Sequence, residues 1–418
     1  MKKIAEFGTK LLRYTEKYIK TDMVYLAKGT FWLNLNFFSS SLLGFILSIF
    51  FARLLSPNTY GTYQYILSIS AILGVLTLTG FNPAITRAVA QGFEGTFKKS
   101  LPIQLKWGLL STFVSFFISG YYIFQGATII GASILIMGIL LPISNAFNTH
   151  YAYLTGKKDF RGIFIYNTIL TVVYFASMLT TLFLGGGVFY LILAYFLSQT
   201  VANIIIYFYI TKTQVINEQV DDTTFAYGKH LSIMNILSTL ASKLDNIIIF
   251  QFIGAPELAI YSFARIFPEK ISGLWKSIST VALPKLSEKT TEEVRESILG
   301  KTIKFIIITI ISAGVYVLIA PFAFSIFFPQ YTASIAYSQV LSLSIVMGAA
   351  GLPVNALISQ KAKKELYIFT TTIPFLQNIL LLFMIIFYGL WGAVISKIIG
   401  NALYIASALF LLTKPKKV

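Results

Sequence analysis

Long apolar runs separated by short polar connections fill this 418-residue chain. Each run is close to or longer than the ~20 residues that an α-helix needs to cross a bilayer. The pattern therefore predicts an all-α polytopic membrane protein with twelve transmembrane helices, at Gly29 to Leu55, Tyr60 to Gly80, Leu105 to Phe124, Ala127 to Tyr153, Ile163 to Leu184, Val188 to Thr211, Gly228 to Gly254, Leu258 to Leu283, Lys301 to Phe328, Thr332 to Ser359, Leu366 to Tyr388 and Gly389 to Leu412.

Positively charged residues are concentrated in every second connection between the apolar runs. Of the 33 Lys and Arg residues, 27 lie in the termini and in every second connection, five lie inside the apolar runs, and Arg53 alone lies in the other connections. Connections that stay on the cytoplasmic side are enriched in Lys and Arg. We therefore expect both termini to be cytoplasmic, in a multi-pass protein of the cell (inner) membrane.

Composition excludes several classes of protein. The chain is 56% hydrophobic and 12% charged, against about 25% charged in soluble domains. The net charge of +17 is spread along one membrane face without a nucleic-acid motif, so we expect contact with anionic membrane lipids and no nucleic-acid partner. Cysteine is absent, which excludes thiolate metal sites, and neither a metal nor any other cofactor is expected.

The two halves of the chain resemble each other. A shift of 199 positions places Gly29 on Gly228, Asn36 on Asn235 and Pro57 on Pro256, among other matches. A six-helix repeat has an even number of spans, so both copies enter the membrane in the same sense and form two parallel lobes around a central cavity. The predicted divisions are an interfacial helix at 1–27, a six-helix lobe at 28–211, a cytoplasmic linker at 212–227, a second lobe at 228–412 and a tail at 413–418.

Ionisable residues within a bilayer are costly and are candidates for function. Seven lie inside the apolar runs: Lys243, Asp245, Arg265, Glu269, Lys270, Lys276 and Lys397. Five cations against two anions leave a net positive interior, which favours an anionic cargo such as phosphate or pyrophosphate. The alternative for each residue is structural pairing between helices or snorkelling to the interface.

Spacing suggests how some of these residues pair. Arg265 and Glu269 are four residues apart, as in an ion pair on one helical face. Lys243 and Asp245 are two residues apart and cannot face each other, so each needs another partner, such as water or substrate. For Asp245 we expect ion coupling or helix pairing, and for Glu269 we expect pairing with an arginine or ion coupling. Asparagine side chains in the spans suit hydroxyl-rich groups, and Asn36 and Asn235 are candidates.

A family resemblance follows from two segments of the first lobe: Phe51-Ala52-Arg53-Leu54-Leu55-Ser56-Pro57-Asn58-Thr59-Tyr60-Gly61-Thr62-Tyr63 and Gly80-Phe81-Asn82-Pro83-Ala84-Ile85-Thr86-Arg87. The chain resembles the oligosaccharide-repeat (Wzx-type) flippases of the multidrug/oligosaccharidyl-lipid/polysaccharide exporter superfamily. The resemblance implies a flippase that moves a polyprenyl-pyrophosphate-linked glycan to the outer leaflet by alternating access. It also implies substrate contacts at Arg53 and Arg87, beside Lys243, Arg265, Lys276 and Lys397, and glycan polymerase or assembly proteins as possible partners.

Three other functions stay open. A cation or drug antiporter of the same superfamily would favour an acidic cavity, and an unrelated twelve-span sugar transporter would carry a charged inner loop after the second span. A glycan polymerase or glycosyltransferase would need a sizeable outer catalytic loop. A G-x-x-x-x-G-K-[ST] phosphate loop is absent from the sequence, so we expect an ion gradient or the membrane potential to drive transport.

Overall fold

The computed structural model describes residues 23–214, 217–280, 291–359 and 363–413. The predicted interfacial helix, apart from its last residues, and the end of the tail lie outside these ranges. In chain order the helices are α1 (Met23–Leu54), α2 (Pro57–Gly74), α3 (Phe81–Ala90), α4 (Gly95–Phe124), α5 (Thr128–Phe147), α6 (His150–Gly156), α7 (Phe160–Phe183), α8 (Val188–Thr213), α9 (Thr223–Phe252), α10 (Ala255–Thr280), α11 (Thr291–Phe327), α12 (Ser334–Leu341), α13 (Gly351–Ser359) and α14 (Lys363–Thr413).

The described helices account for the twelve spans that the sequence predicts, once α10 and both arms of α14 are included. The described residues include nine helices long and apolar enough to cross a membrane, or ten if the bent pair Pro57–Thr77 and Phe81–Ala90 forms one span. Helix α10 is also long enough at 26 residues, but its charged side chains make it less apolar than the others. Helix α14 supplies two spans, because it is broken in its middle.

The break in α14 lies at Gly389, where φ is 54° and ψ is −134°. Left-handed backbone of this kind favours glycine, which lacks a Cβ. A Cβ on Gly400 would collide with the side chain of Gln377, although the two residues would lie about 34 Å apart along a straight helix at 1.5 Å per residue. The chain therefore reverses at Gly389, and α14 is a helical hairpin with arms 363–388 and 390–413.

Contacts divide the chain into two compact units, Met1–Phe50 with Leu73–Ile233, and Phe51–Ile72 with Met234–Val418. These limits differ from the predicted lobes for Phe51–Ile72, which cluster with the second unit. The lobe boundaries stay a prediction, and we describe each unit by itself.

The first unit has an aromatic and aliphatic core. Phe97 lies 4.8 Å from the ring of Tyr153 and 4.9 Å from that of Tyr207, and Ile163 and Leu170 of α7 belong to the same cluster. Outside the membrane segments, the polar stretch before α9 is tied to α4, since the backbone N–H of Asp221 donates to Thr96 Oγ1 at 3.0 Å. The core and this polar contact hold the helices of the first unit together.

The second unit packs α2 against α10 and the turn after α11. The ring of Phe263 lies 4.6 Å from Tyr60 and 4.0 Å from Tyr331. A Cβ on Gly61 would collide with the carbonyl oxygen of Ala255, so the backbones of α2 and α10 are in direct contact. Close backbone approach through small residues is typical of helices that pack in membranes.

Candidate functional site

The buried ions of the second unit meet at Asp245. This carboxylate lies on α9, and the residue is 6% exposed. Its Oδ2 accepts a hydrogen bond from Arg265 Nη1 of α10 at 2.9 Å, and Lys397 Nζ of α14 lies 3.7 Å from the same oxygen. One carboxylate is therefore shared by two cations from two other helices.

Arg265 is held from several sides. Its Nε donates to Glu269 Oε1 at 2.8 Å, and its guanidinium lies 5.1 Å from the ring centre of Tyr261. The predicted i, i+4 pair of Arg265 and Glu269 is confirmed. The Glu269 side chain is 53% exposed and that of Asp245 is 8% exposed, so Asp245 is the more deeply buried of the two carboxylates that contact Arg265.

The remaining polar atoms of this cluster are also paired. Asp245 Oδ1 accepts the backbone N–H of Asn246 at 2.8 Å, and Tyr261 Oη lies 3.5 Å from Asp245 Oδ2. The amide of Asn246 donates to Ser68 Oγ of α2 at 2.8 Å. A buried charge that lacks such partners is strongly unfavourable. We call Asp245, Asn246, Tyr261, Arg265 and Lys397 the ion cluster.

Two alternatives were open for Asp245, ion coupling or pairing between helices, and the structure pairs it with Arg265 of α10 and Lys397 of α14. The sequence did not identify these two partners, for which water or substrate was named as an example because Lys243 cannot face Asp245. Both cations are distant in sequence, at 20 and 152 positions, so helical periodicity could not identify them. Whether Asp245 and Glu269 also couple transport to an ion stays a prediction.

A polar cavity of about 210 Å³ adjoins the ion cluster within the second unit. Asp245 and Tyr261 form part of its wall, and hydroxyl, amide and ammonium groups line much of the rest: Ser238 and Ser242 of α9, and Gln377, Asn378, Ser396, Lys397, Asn401 and Tyr404 of the two arms of α14. The sequence had drawn attention to Lys397, and to asparagines in the spans as a class, but not to Gln377 or Tyr404. Their signal was present, as an amide and a hydroxyl within apolar runs.

The other predicted substrate residues of the second unit do not form the wall of the polar cavity. Arg53 is exposed, and its Nη2 donates to the carbonyl of Ile326 at 2.8 Å, near the end of α11. Asn235 and Lys276 are exposed, and Lys243 is half-buried on the same helix as Asp245. A role in substrate binding stays a prediction for each of them.

Two predicted residues belong to the first unit. Arg87 is exposed near the end of α3, with its guanidinium 5.6 Å from the ring centre of Tyr227. Asn36 is half-buried on α1, and its side-chain oxygen is buried without a hydrogen-bond partner among the described residues. An unpaired oxygen of this kind can accept a hydrogen bond from a ligand. A role in substrate binding stays a prediction for both Arg87 and Asn36.

The described residues hold no group of three or more His, Asp or Glu side chains that could bind a metal ion. The hydroxyl, amide and charged groups of the site can bind a ligand through hydrogen bonds and through charge. Arg265 and Lys397 balance the carboxylates of Asp245 and Glu269, and Lys243 interacts electrostatically with Asp245, so these five charges sum to +1. A site of this sign attracts anions.

Comparisons with known proteins agree with this architecture. The family model described as "Polysaccharide biosynthesis protein" matches residues 50–308, and no curated protein sequence matches the chain. Among solved structures, the chain is similar to lipid II flippase MurJ in an inward closed conformation, with a TM-score of 0.69 and 15% identity over 92% of this chain and 88% of that one.

Two transporters of the MOP superfamily are also similar. An inward-facing multidrug resistance MATE family transporter gives a TM-score of 0.66 at 16% identity, over 89% of this chain and 93% of that one. A transporter from Pyrococcus furiosus Vc1 (DSM3638), described as having a binding pocket of reverse polarity, gives 0.60 at 15% identity, over 93% and 94%. At these identities the structures establish the fold.

The family match covers more than half of the chain, and the fold is that of membrane flippases and transporters. The resemblance to the Wzx-type flippases and the all-α, multi-span class are thereby confirmed. The chain belongs to the polysaccharide biosynthesis protein family, and it has the multi-span fold of solved membrane flippases and transporters.

Proposed function

We propose that this protein is a flippase for a polyprenyl-pyrophosphate-linked oligosaccharide, which it carries from the inner to the outer leaflet for cell-surface polysaccharide synthesis. The membership of a polysaccharide biosynthesis family supports a glycan as the cargo. The fold, shared with transporters and with a lipid flippase, supports translocation rather than catalysis.

The observation that carries the proposal is the shared carboxylate of Asp245. Arg265 and Lys397 together balance the carboxylates of Asp245 and Glu269, so Lys243, which interacts electrostatically with Asp245, leaves one positive charge in excess. Maintaining surplus positive charge inside a membrane is costly, and a cargo that carries negative charge offsets the cost when it binds. A pyrophosphate-linked glycan meets this requirement, and its hydroxyl groups match the amides and hydroxyls of the polar cavity.

In the proposed mechanism the glycan headgroup enters a cationic site from the cytoplasmic side, while the polyprenyl tail stays in the lipid. Alternating access of the two predicted lobes then opens the site to the outside. An ion gradient or the membrane potential supplies the energy. The protein would lie in the inner membrane with both termini in the cytoplasm and could work beside a glycan polymerase.

The test is export in cells that lack the chromosomal copy of this gene. We expect wild-type protein to restore surface polysaccharide, and Arg265→Ala and Lys397→Ala to reduce it at least tenfold while lipid-linked glycan accumulates in the inner leaflet. Membrane levels of each variant are measured by immunoblot. Lys99→Ala is the matched control, because this lysine pairs with Asp222 on the exposed surface of the first unit.

Normal export by both Arg265→Ala and Lys397→Ala would remove the ion cluster from the proposed site. A drug antiporter gives a different result: loss of the gene would then raise sensitivity to cationic drugs and leave surface polysaccharide unchanged. Measuring both phenotypes in the same strains separates the two functions.

A further inference from the structure

An apolar cavity of about 390 Å³ lies within the first unit, between α7 and α8. The small residues Ala194, Ser198 and Ala202 follow one another at intervals of four along α8, so they share a face and leave room beside α7. Branched side chains such as Val173 and Ile205 also line the space. We call this cavity the α7–α8 groove.

The groove has the length of a lipid chain. Ala194 and Ile205 both line it, and they lie about 16 Å apart along α8 at 1.5 Å per residue. The hydrocarbon layer of one leaflet is about 15 Å thick, half of the ~30 Å core of a bilayer. At the Ala194 end the two helices touch, because Ser177 Oγ donates to the carbonyl of Ala194 at 3.3 Å. The groove therefore has a closed end and room for one acyl chain.

Polar groups follow the groove in a fixed order beyond its other end. The rings of Tyr166 and Tyr209 lie 6.2 Å apart, one on each helix, and Tyr209 is about 6 Å beyond Ile205 along α8. Lys212 is about 10 Å beyond Ile205, and the two residues share a helical face because they are two turns apart. Hydrocarbon is thus followed by phenol hydroxyls and then by positive charge.

The positive charge at this end has no counter-charge within the protein. Arg161 is the only charged residue of α7 and Lys212 the only one of α8, and both are exposed. Neither pairs with a carboxylate in the part of the chain that the structure describes. The carboxylate of Asp159 caps α7, since its Oδ1 accepts the backbone N–H of Gly162 at 2.8 Å. Both cations can therefore bind an external anion.

The order of these groups distinguishes between classes of lipid. A phospholipid carries its hydrocarbon chain, its ester carbonyls and its phosphate in the same order, so the tyrosine hydroxyls can donate to the esters while the cations bind the phosphate. Tyrosine is also enriched at this depth of a bilayer. A polyprenyl pyrophosphate has no carbonyl between its chain and its phosphates. A zwitterionic phospholipid carries an ammonium group that the two cations would repel.

We propose that the α7–α8 groove binds one anionic phospholipid, with an acyl chain along the groove and the phosphate at Arg161 and Lys212. The charge pattern of the chain predicts that this end of the helices is cytoplasmic, so the lipid comes from the inner leaflet. The site lies on the first unit and involves neither the ion cluster nor the cargo. Its failure would leave the proposed flippase function intact.

The test makes use of the absence of cysteine from the chain. Leu197→Cys carries a fluorophore at the groove, where Leu197 is exposed. The labelled protein is reconstituted in phosphatidylcholine vesicles with a small fraction of phosphatidylglycerol or phosphatidylcholine that bears a quenching nitroxide near the end of an acyl chain. Leu318→Cys, at an exposed position of α11, measures quenching by bulk lipid.

We expect quenching by phosphatidylglycerol to exceed that by phosphatidylcholine about fivefold at Leu197→Cys and to equal it at Leu318→Cys, because each cation near a membrane surface attracts anionic lipid. Arg161→Gln combined with Lys212→Gln should abolish the preference. The matched control combines Lys98→Gln with Lys106→Gln, two exposed lysines of α4, and should keep it. Equal quenching by the two lipids at Leu197→Cys, or a preference that survives the loss of Arg161 and Lys212, would overturn the proposal.

A second variant blocks the groove itself. Ser198→Phe fills the space, and the Oγ that it removes bonds only to the carbonyl of Tyr195 on the same helix, at 3.0 Å. Ser325→Phe is the matched control, because its Oγ likewise bonds to the carbonyl of Phe322 on its own helix, at 2.8 Å. We expect only Ser198→Phe to remove the preference for phosphatidylglycerol, and a preference that persists in it would contradict the site. If Ser198→Phe does not fold, the exchange of the two exposed cations still decides, because it alters no packing.

Competition identifies the lipid. Unlabelled phosphatidylglycerol should restore the fluorescence at Leu197→Cys at a lower mole fraction than polyprenyl pyrophosphate does. The reverse order would assign the groove to the carrier lipid and overturn the assignment to a phospholipid.

Discussion

Removal of Arg265 should destabilise the second unit far more than removal of its exposed partner. In Arg265→Ala, Asp245 loses its 2.9 Å hydrogen bond and retains Lys397 at 3.7 Å. Breaking a buried pair by removing one partner costs about 3–5 kcal/mol, because the other charge stays buried. Arg265 is 19% exposed at its side chain, so we expect the lower end, about 3 kcal/mol.

A loss of about 3 kcal/mol lowers the melting temperature of a unit of roughly 200 residues by about 6–12 °C. Thermal unfolding of the purified protein in detergent measures the shift. Glu269→Gln is the matched control: it removes the other carboxylate that contacts Arg265, but this side chain is 53% exposed, and exposed pairs contribute about 1 kcal/mol or less.

The double variant Arg265→Ala with Asp245→Asn isolates the interaction between the two side chains. Because the double variant leaves no buried carboxylate, its loss of stability should be smaller than the sum of the single losses by about 1.5 kcal/mol or more. Additivity within about 0.5 kcal/mol would show that the two residues do not stabilise each other and would refute this account of the ion cluster.

Three further predictions concern other parts of the chain. Gly61→Ala should destabilise the protein by about 1–3 kcal/mol, because the new methyl group meets the carbonyl of Ala255. Gly44→Ala is the control and should be neutral or slightly stabilising, because the space around Gly44 is open. Equal melting temperatures for the two variants would contradict the contact between Gly61 and Ala255. Arg53→Ala should cost about 0.5–1 kcal/mol in thermal unfolding, since the guanidinium donates to a carbonyl near the end of α11, and an unchanged melting temperature would exclude this role. Hydrogen bonds from Thr223 and Thr224 hold the pKa of Asp221 below its ordinary value. Asp221→Ala should therefore lower the melting temperature at neutral pH, and the difference from wild type should disappear as acid protonates the carboxyl group of the folded protein. A difference in melting temperature that grows in acid would contradict this role of Asp221.

The sequence predicted the spans well because the bilayer imposes a simple rule on length and polarity. Helix α10 shows the limit of that rule: its charges make it the least apolar of the spans, yet spacing alone identified its pair of Arg265 and Glu269. The periodicity of a helix specifies which residues share a face. It therefore predicts pairs within a helix accurately.

Contacts between helices could not be predicted in the same way. Asp245 and Lys397 are 152 positions apart, and their contact depends on the hairpin at Gly389, which returns the second arm of α14 to the first. The amide of Gln377 lies within an apolar run and could have been singled out, but its place in the cavity depends on the same hairpin. Arg53 was assigned to substrate from a family pattern, and its hydrogen bond to Ile326 depends on tertiary packing that the pattern does not encode.

Because the chain reverses at Gly389, the cavity side chains that could contact a ligand lie on one hairpin, whereas the ion pair of Asp245 and Arg265 lies on two other helices. The carboxylate and its guanidinium partner belong to α9 and α10, while the amide and phenol groups that could read a ligand project from one hairpin. During evolution, substitutions on the hairpin could then change the cargo while the ion pair of Asp245 and Arg265 stays the same. Homologues that export different polymers should diverge at positions 377, 401 and 404 before they diverge at 245 or 265.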